Sequence, residues 1–381
     1  MNGSGRWHAE QAWLGHRAEN VLIEVENGRI SAIEERIPAP PDAIALKGWT
    51  VPGFANVHSH AFQRLLRGEI ESGGGDFWEW RAQMYRFTEW DPADYFKHAR
   101  LLFREMLEAG ITAVGEFHYL HGHGNELGEA LIDAAREEGI RITLIDACYL
   151  RGGMDGGPLE AEQLAFSDGD ADSWARRMDE LKETNGARIA AAIHSVRAVD
   201  PESMRVVATY ARERRMPLHI HLAEQAAEVE ACLAVEGVTP TELLQREGIL
   251  GPDLTAVHAI HLNERDISLL GENGSRSAPA PQRNETSAIA SVRCARSKPR
   301  AATSRWAAIP TRWSTCWRRR GGSSSTRGAP PGAGFCISLR TCCGRPRSTA
   351  CAPLAGNPES SGRECSRTSS RWMRRETCGA R

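Results

Sequence analysis

The chain has 381 residues, 41% of them hydrophobic and 25% charged, with a formal net charge of −2. This balance suits a soluble globular protein with a large core, and the near-neutral charge favours neither nucleic acid nor a membrane surface as partner. The average hides a division: all 13 histidines lie at or before His261, the last aspartate is Asp266, and beyond Gly271 lysine appears only once, at Lys298. A single domain seldom segregates residue types so sharply, so two different pieces are joined.

Met1–Glu10 lacks the apolar stretch of a secretion signal, and no apolar run approaches the roughly 20 residues that span a bilayer. Cys148 and Cys232 are the only cysteines before the tail, which suits a reducing cytoplasm, the expected location. Val21–Val25 is strand-like, Asn27-Gly28 marks a hairpin, and Ile30–Ile33 resumes the strand. Pro38, Pro40 and Pro41 make a stiff connection. Residues 1–53 are therefore expected to form a β segment of a small flanking sandwich.

From Val57 to about residue 270, apolar strands alternate with helices. Strands are expected at Ile111–Phe117, Ile140–Ala147, Ile189–Ile193, Leu218–Leu222 and Leu254–Ala259, after a first one ending at His58-Ser59-His60. Helices are expected from Asp91-Pro92 to Ala109, over Glu126–Glu138 closed by Gly139, over Ser173–Thr184, after Asp200-Pro201, and over Glu228–Glu236 and Thr241–Glu247. Repeated βα units imply a parallel sheet with reactive groups at the strands' carboxyl ends. The expected fold class is α/β, an incomplete (β/α)8 TIM barrel of about six units over residues 54–270.

His58 and His60 flank Ser59 at a strand end, where alternation places i and i+2 on one face, within reach of one metal. His219-Ile220-His221-Leu222-Ala223-Glu224 offers a ligand and, three residues on, a carboxylate to shuttle protons. Its bland reading is a core histidine and a helix-capping glutamate. His258-Ala259-Ile260-His261 follows the next strand, and for His261 the core reading is preferred. Three histidine-rich strand ends make a joint case for a divalent zinc ion, which lowers the pKa of bound water to about 7.

At these residues Val51–Leu262 resembles the one-zinc branch of the amidohydrolase superfamily. Asn56–Arg64, Phe77-Trp78-Glu79-Trp80-Arg81, Met84–Phe87, Gly115–Tyr119, His194–Val199 and His219–Gln225 look more narrowly like the formimidoylglutamate deiminase family. That resemblance implies one Zn2+ held by His58, His60 and His221, proton transfer by Glu224, and orientation of the attacked group by His258. It gives Gln63, Arg81, Tyr119, His194 and Arg197 the substrate. Guanidinium forks suit a substrate with two carboxylates, although for Arg81 and Arg197 a surface ion pair is the plain alternative. The implied reaction is hydrolysis of N-formimidoyl-L-glutamate to N-formyl-L-glutamate and ammonia, a step of histidine degradation. Two alternatives are an inactive or unstable remnant of that enzyme and a guanine- or cytosine-type deaminase of the same superfamily. The expected partner is a small molecule, with no nucleic acid and no membrane. Such barrels often pair, so a homodimer is one expected assembly.

The same resemblance requires an aspartate after the eighth strand, and the sequence has none beyond Asp266. The tail, residues 271–381, reads as a frameshift. Pro279–Ser287 can be encoded so that reading from the third base yields Cys-Pro-Thr-Thr-Glu-Arg-Asp-Leu. Thr303–Thr311, shifted likewise, yields Ile-Ala-Leu-Gly-Ser-Asp-Ser-His, which contains an aspartate and resembles the family's eighth strand. Arginine-, serine- and cysteine-rich sequence is what a GC-rich gene gives out of frame. An RNA-binding extension competes, but the tail shows no repeat, amphipathic period or RGG pattern, and a disordered tail is the expectation.

Overall fold

The computed structural model describes residues 3–66 and 88–278. Arg81 with its tryptophan-rich stretch, and the segment beyond 278, lie outside the described residues.

Four amino-terminal strands form a sheet in the order β3-β2-β1-β4: β1 (Gly5–Trp13), β2 (Arg17–Glu26), β3 (Arg29–Glu34) and β4 (Ile44–Thr50). The hairpin between β2 and β3 turns on Asn27 and Gly28, with φ of 51° and 75°, the left-handed pair that a two-residue turn demands. Its small core is built from Ala9, Ala12, Ala18, Val21 and Ile23. The sequence reading lacks β1, because Trp7-His8-Ala9-Glu10 shows no clean apolar alternation.

The second sheet has seven parallel strands in sequential order: β5 (Phe54–Ser59), β6 (Ile111–His118), β7 (Arg141–Cys148), β8 (Ala187–Ser195), β9 (Leu218–Leu222), β10 (Leu254–His258) and β11 (Arg276–Ala278). Between them run α1 (Pro92–Glu108), α2 (Glu126–Glu138), α3 (Ala171–Glu180), α4 (Pro201–Glu213), α5 (Ala226–Glu236), α6 (Pro240–Arg246) and α7 (Glu264–Glu272). This is the helix-wrapped parallel sheet of a TIM-type barrel. One strand beyond the expected six is present: β11, three residues long, pairs with β10 from Arg276 opposite Thr255 to Ala278 opposite Val257.

Local chemistry starts and stops the helices. The Asp91 carboxylate accepts the N–H groups of Ala93 and Asp94, with Pro92 in the first turn. Helix α1 then buries Tyr95, Ala99, Leu102, Phe103 and Met106, one stripe at 3–4-residue spacing. Each large side chain in it contributes about 1.5–3 kcal/mol. Gly139, at φ 86°, ends α2 in the left-handed conformation. Helix α3 begins and ends before its expected Ser173–Thr184: Asp170 captures the N–H of Ser173, and Thr184 is drawn into a β-bridge with Ala187. Helix α7, absent from the sequence reading, starts from a capping box between Asn263 and Asp266.

Candidate metal centre and active site

Strands β5 and β9 aim three imidazoles at one point. His58 lies in β5, His60 just past it and His221 in β9, and one ring nitrogen from each falls within 4.8 Å of the others. The Nε2 atoms of His58 and His221 face each other at 3.3 Å. Two neutral imidazoles so placed can share one hydrogen at most, whereas a tetrahedral cation with bonds of about 2.0–2.1 Å would space its ligands about 3.3–3.4 Å apart. The donor set fits a zinc-like ion.

Hydrogen bonding orients the ligands. Nδ1–H of His60 donates to the Phe117 carbonyl at 2.8 Å, leaving Nε2 as the lone-pair nitrogen. The Phe117 ring lies 4.1 Å from that of His221, and 5.4 and 5.5 Å from those of His58 and His60. Burial pushes His58 and His221 well below the usual histidine value and His60 down to about 3, and neighbouring histidines add to each shift. Neutral imidazoles are the form that binds metal.

Around this centre stand the other expected residues. Glu224 follows β9, with Oε1 3.5 Å from Nε2 of His258 and Oε2 3.7 Å from the Arg197 guanidinium. His258 ends β10, and its ring lies 5.3 Å from that of His221. Gln63 donates from Nε2 to the Tyr119 hydroxyl at 2.9 Å, and the Tyr119 ring stands 4.9 Å from His194, itself 5.0 Å from His221. All the described candidates thus share one end of the sheet. His261 instead gives its backbone N–H to the carbonyl of Ala223.

Three non-glycine residues at these exits adopt left-handed backbone: Ala223 at φ 48°, His258 at 67° and Ala259 at 52°. Such conformations are uncommon outside glycine and collect at functional sites. From the sequence alone Glu116, Glu228 and Tyr149 carry no role. Tyr149 lies under His194 at 4.5 Å. A carboxylate inside an apolar strand was the available signal for Glu116; Glu228 reads from sequence as an ordinary first-turn glutamate.

A second group of metal-ligand types, His118, His121 and Asp146, is wholly buried elsewhere. Alternation along β6 sends His118 away from Phe117, against Gly128 of α2. Asp146 there already receives both terminal nitrogens of Arg177, at 2.9 and 2.7 Å, and Nε1–H of Trp174 at 2.9 Å. Arg177 also pairs with Asp168 at 2.6 Å, and His121 lies 3.4 Å from Asp146 and 3.2 Å from Asp168. Burial opposes charge here, yet Arg177 and His121 hold Asp146 well below the ordinary carboxylate value, while the carboxylates raise His121. Two carboxylates facing a guanidinium and an imidazolium are balanced without a metal. This is a structural network.

Residues 49–310 match the amidohydrolase family. The formimidoylglutamate deiminase of Pseudomonas aeruginosa is 34% identical over 70% of this chain and 62% of its own length. The 5-methylthioadenosine/S-adenosylhomocysteine deaminase of Natronomonas pharaonis is 31% identical over 70% of this chain and 59% of its own. A crystal structure of an amidohydrolase from Brucella melitensis superposes with a TM-score of 0.66 and 34% identity, over 71% of this chain and 63% of that one. The chain spans about three fifths of the length of these curated relatives. Family match, fold and histidine geometry agree: this chain belongs to the amidohydrolase family.

Proposed function

We propose that this barrel is built to hydrolyse N-formimidoyl-L-glutamate to N-formyl-L-glutamate and ammonia, with one Zn2+ held by His58, His60 and His221. The observation that carries the reading is the convergence of imidazoles from β5 and β9 beside Glu224. When bound, the ion supplies water acidic enough to ionise near neutral pH. Glu224, beside Arg197 and His258, is assigned the proton transfer to the departing nitrogen, so that ammonia rather than an amide ion leaves. His258 orients the amidine. Gln63, Tyr119 and His194 are assigned to its approach, and Arg81 and Arg197 to the substrate's carboxylates, which would compete with Glu224 and Glu228 for the Arg197 guanidinium.

The tail enters this reading directly. The aspartate required after the eighth strand is absent, because Asp266 is the last in the chain. We read the tail, residues 271–381, as translated out of frame, because Pro279–Ser287 and Thr303–Thr311 both yield family-like sequence in one and the same shifted frame. The boundaries 1–53, 54–270 and 271–381 stay a proposal on the same footing.

The test compares the zinc-loaded chain with a version whose frame is restored near codon 279. The restored protein is expected to release ammonia from formimidoylglutamate, and the present chain to do so at least about 100-fold more slowly, the order of effect of losing one acid–base group. Glu224→Gln in the restored protein is expected to lower kcat by about 10²–10⁴. The 31% identity to a methylthioadenosine deaminase keeps a second reading in view, a ring deaminase. Turnover of 5-methylthioadenosine or guanine without turnover of formimidoylglutamate would establish that one instead.

A further inference from the structure

Two carboxylates with no part in the proposed chemistry sit sealed at the exits of the ligand-bearing strands. Glu116, on β6, is fully buried, and its Oε1 accepts the backbone N–H of Ala61, the residue after His60. Glu228, in the first turn of α5, is 1% exposed, and its Oε1 accepts the backbone N–H of Ala223 at 2.9 Å, two residues past His221. Its Oε2 takes Nε–H of Arg197 at 3.3 Å. The two contacts are equivalent: each locks the turn by which a histidine-bearing strand leaves the sheet. At β9 the lock is double, because the Ala223 carbonyl also receives the N–H groups of Ile260 and His261 beyond β10.

Charge points the same way. Among the described residues Glu116 makes no ion pair, and Glu228 shares Arg197 with Glu224. Burial raises both carboxyls, Glu116 to about 7, and a cation among the neutral imidazoles would favour their charged form. Outlying groups that orient histidine ligands commonly alter metal affinity as much as a weak ligand would.

We propose that Glu116 and Glu228 set the cation affinity of the His58–His60–His221 cluster, by locking the exits of β5 and β9 and by the negative charge they place behind the ligands. This rests on the reading of that cluster as a metal centre. The test is zinc affinity of the full chain, measured by competition with a chromophoric chelator, and it needs no turnover. Glu116→Gln and Glu228→Gln, which keep an acceptor oxygen but lose the charge, are each expected to weaken zinc about 10- to 100-fold. The alanine variants, which also free the turn, are expected to weaken it further. Each variant's unfolding midpoint without metal is recorded beside its affinity, and a loss of zinc that only tracks loss of fold counts against the proposal. Glutamine variants that bind zinc like the wild type, while His58→Ala does not, overturn it and leave the metal centre standing. Wild-type protein that takes up no zinc, or His58→Ala protein that binds it undiminished, removes the metal centre and the proposal with it.

Discussion

At the scale of residues, the same side-chain type does different work according to where a strand points it. Phe117 faces the candidate metal centre, and its neighbour His118 is sealed on the other side of the sheet. Burial, with the nearby charge of His121, lowers His118 from 6.5 to about 3. The folded chain therefore refuses a proton that the unfolded chain accepts below about pH 6.5, so stability is lost as pH falls from there towards 3. Between pH 7 and 5 the loss from this residue amounts to about 2 kcal/mol. Denaturant unfolding at both values should show His118→Leu losing less stability over the interval, by about that amount. An equal loss in both proteins would mean that His118 is open to protons. The motif histidines were legible in the sequence because period-2 alternation sets their direction wherever the strand is recognised. Glu116 and Glu228 were not, since their meaning depends on burial and on backbone groups far along the chain.

Among elements, the helix boundaries set by a local Asp-Pro or glycine signal were the most legible features. Asp91-Pro92, Asp200-Pro201 and Gly139 act within a single turn, so their chemistry is complete in a few letters of sequence. Elements whose existence rests on distant pairing were harder: β1 needs β2 and β4 beside it, and the three residues of β11 need β10. The attachment of α3 to the sheet belongs to the same class. It depends on Arg177 reaching Asp146 on β7, with Asp168 completing the pair. Arg177→Met would strand the buried carboxylate of Asp146 and the part-buried one of Asp168, and should destabilise the chain by about 3–5 kcal/mol. Zinc affinity should stay within about twofold, as expected if the network is structural. Chemical denaturation and chelator competition read the two quantities separately. A large fall in zinc affinity with little loss of stability would instead place a cation in the network.

For the whole molecule, the barrel lineage was legible in the sequence, while the number of strands came only with the structure. Among the described residues β5 and β11 each have one neighbour in the sheet. Single-neighbour strands present unpaired N–H and C=O groups to other chains. The present chain is accordingly expected to associate on concentration, and the frame-restored chain to remain dispersed and unfold at a higher temperature. Size-exclusion chromatography with light scattering and a thermal melt check both, and equal behaviour would argue that the tail completes the fold as it stands. The nucleotide sequence around codons 262–290 decides independently whether a base has been gained or lost.

The sheet runs in one direction throughout, and that has a consequence for its two ends. All the described candidate groups leave from the carboxyl ends, while the connections at Gly110, Gly139 and Gly186 lie at the opposite end, about 25 Å away for an eight-residue strand. Peptide tags or tethers spliced into that far rim should leave the histidine cluster undisturbed, so that rim is free to vary while the other is held fixed.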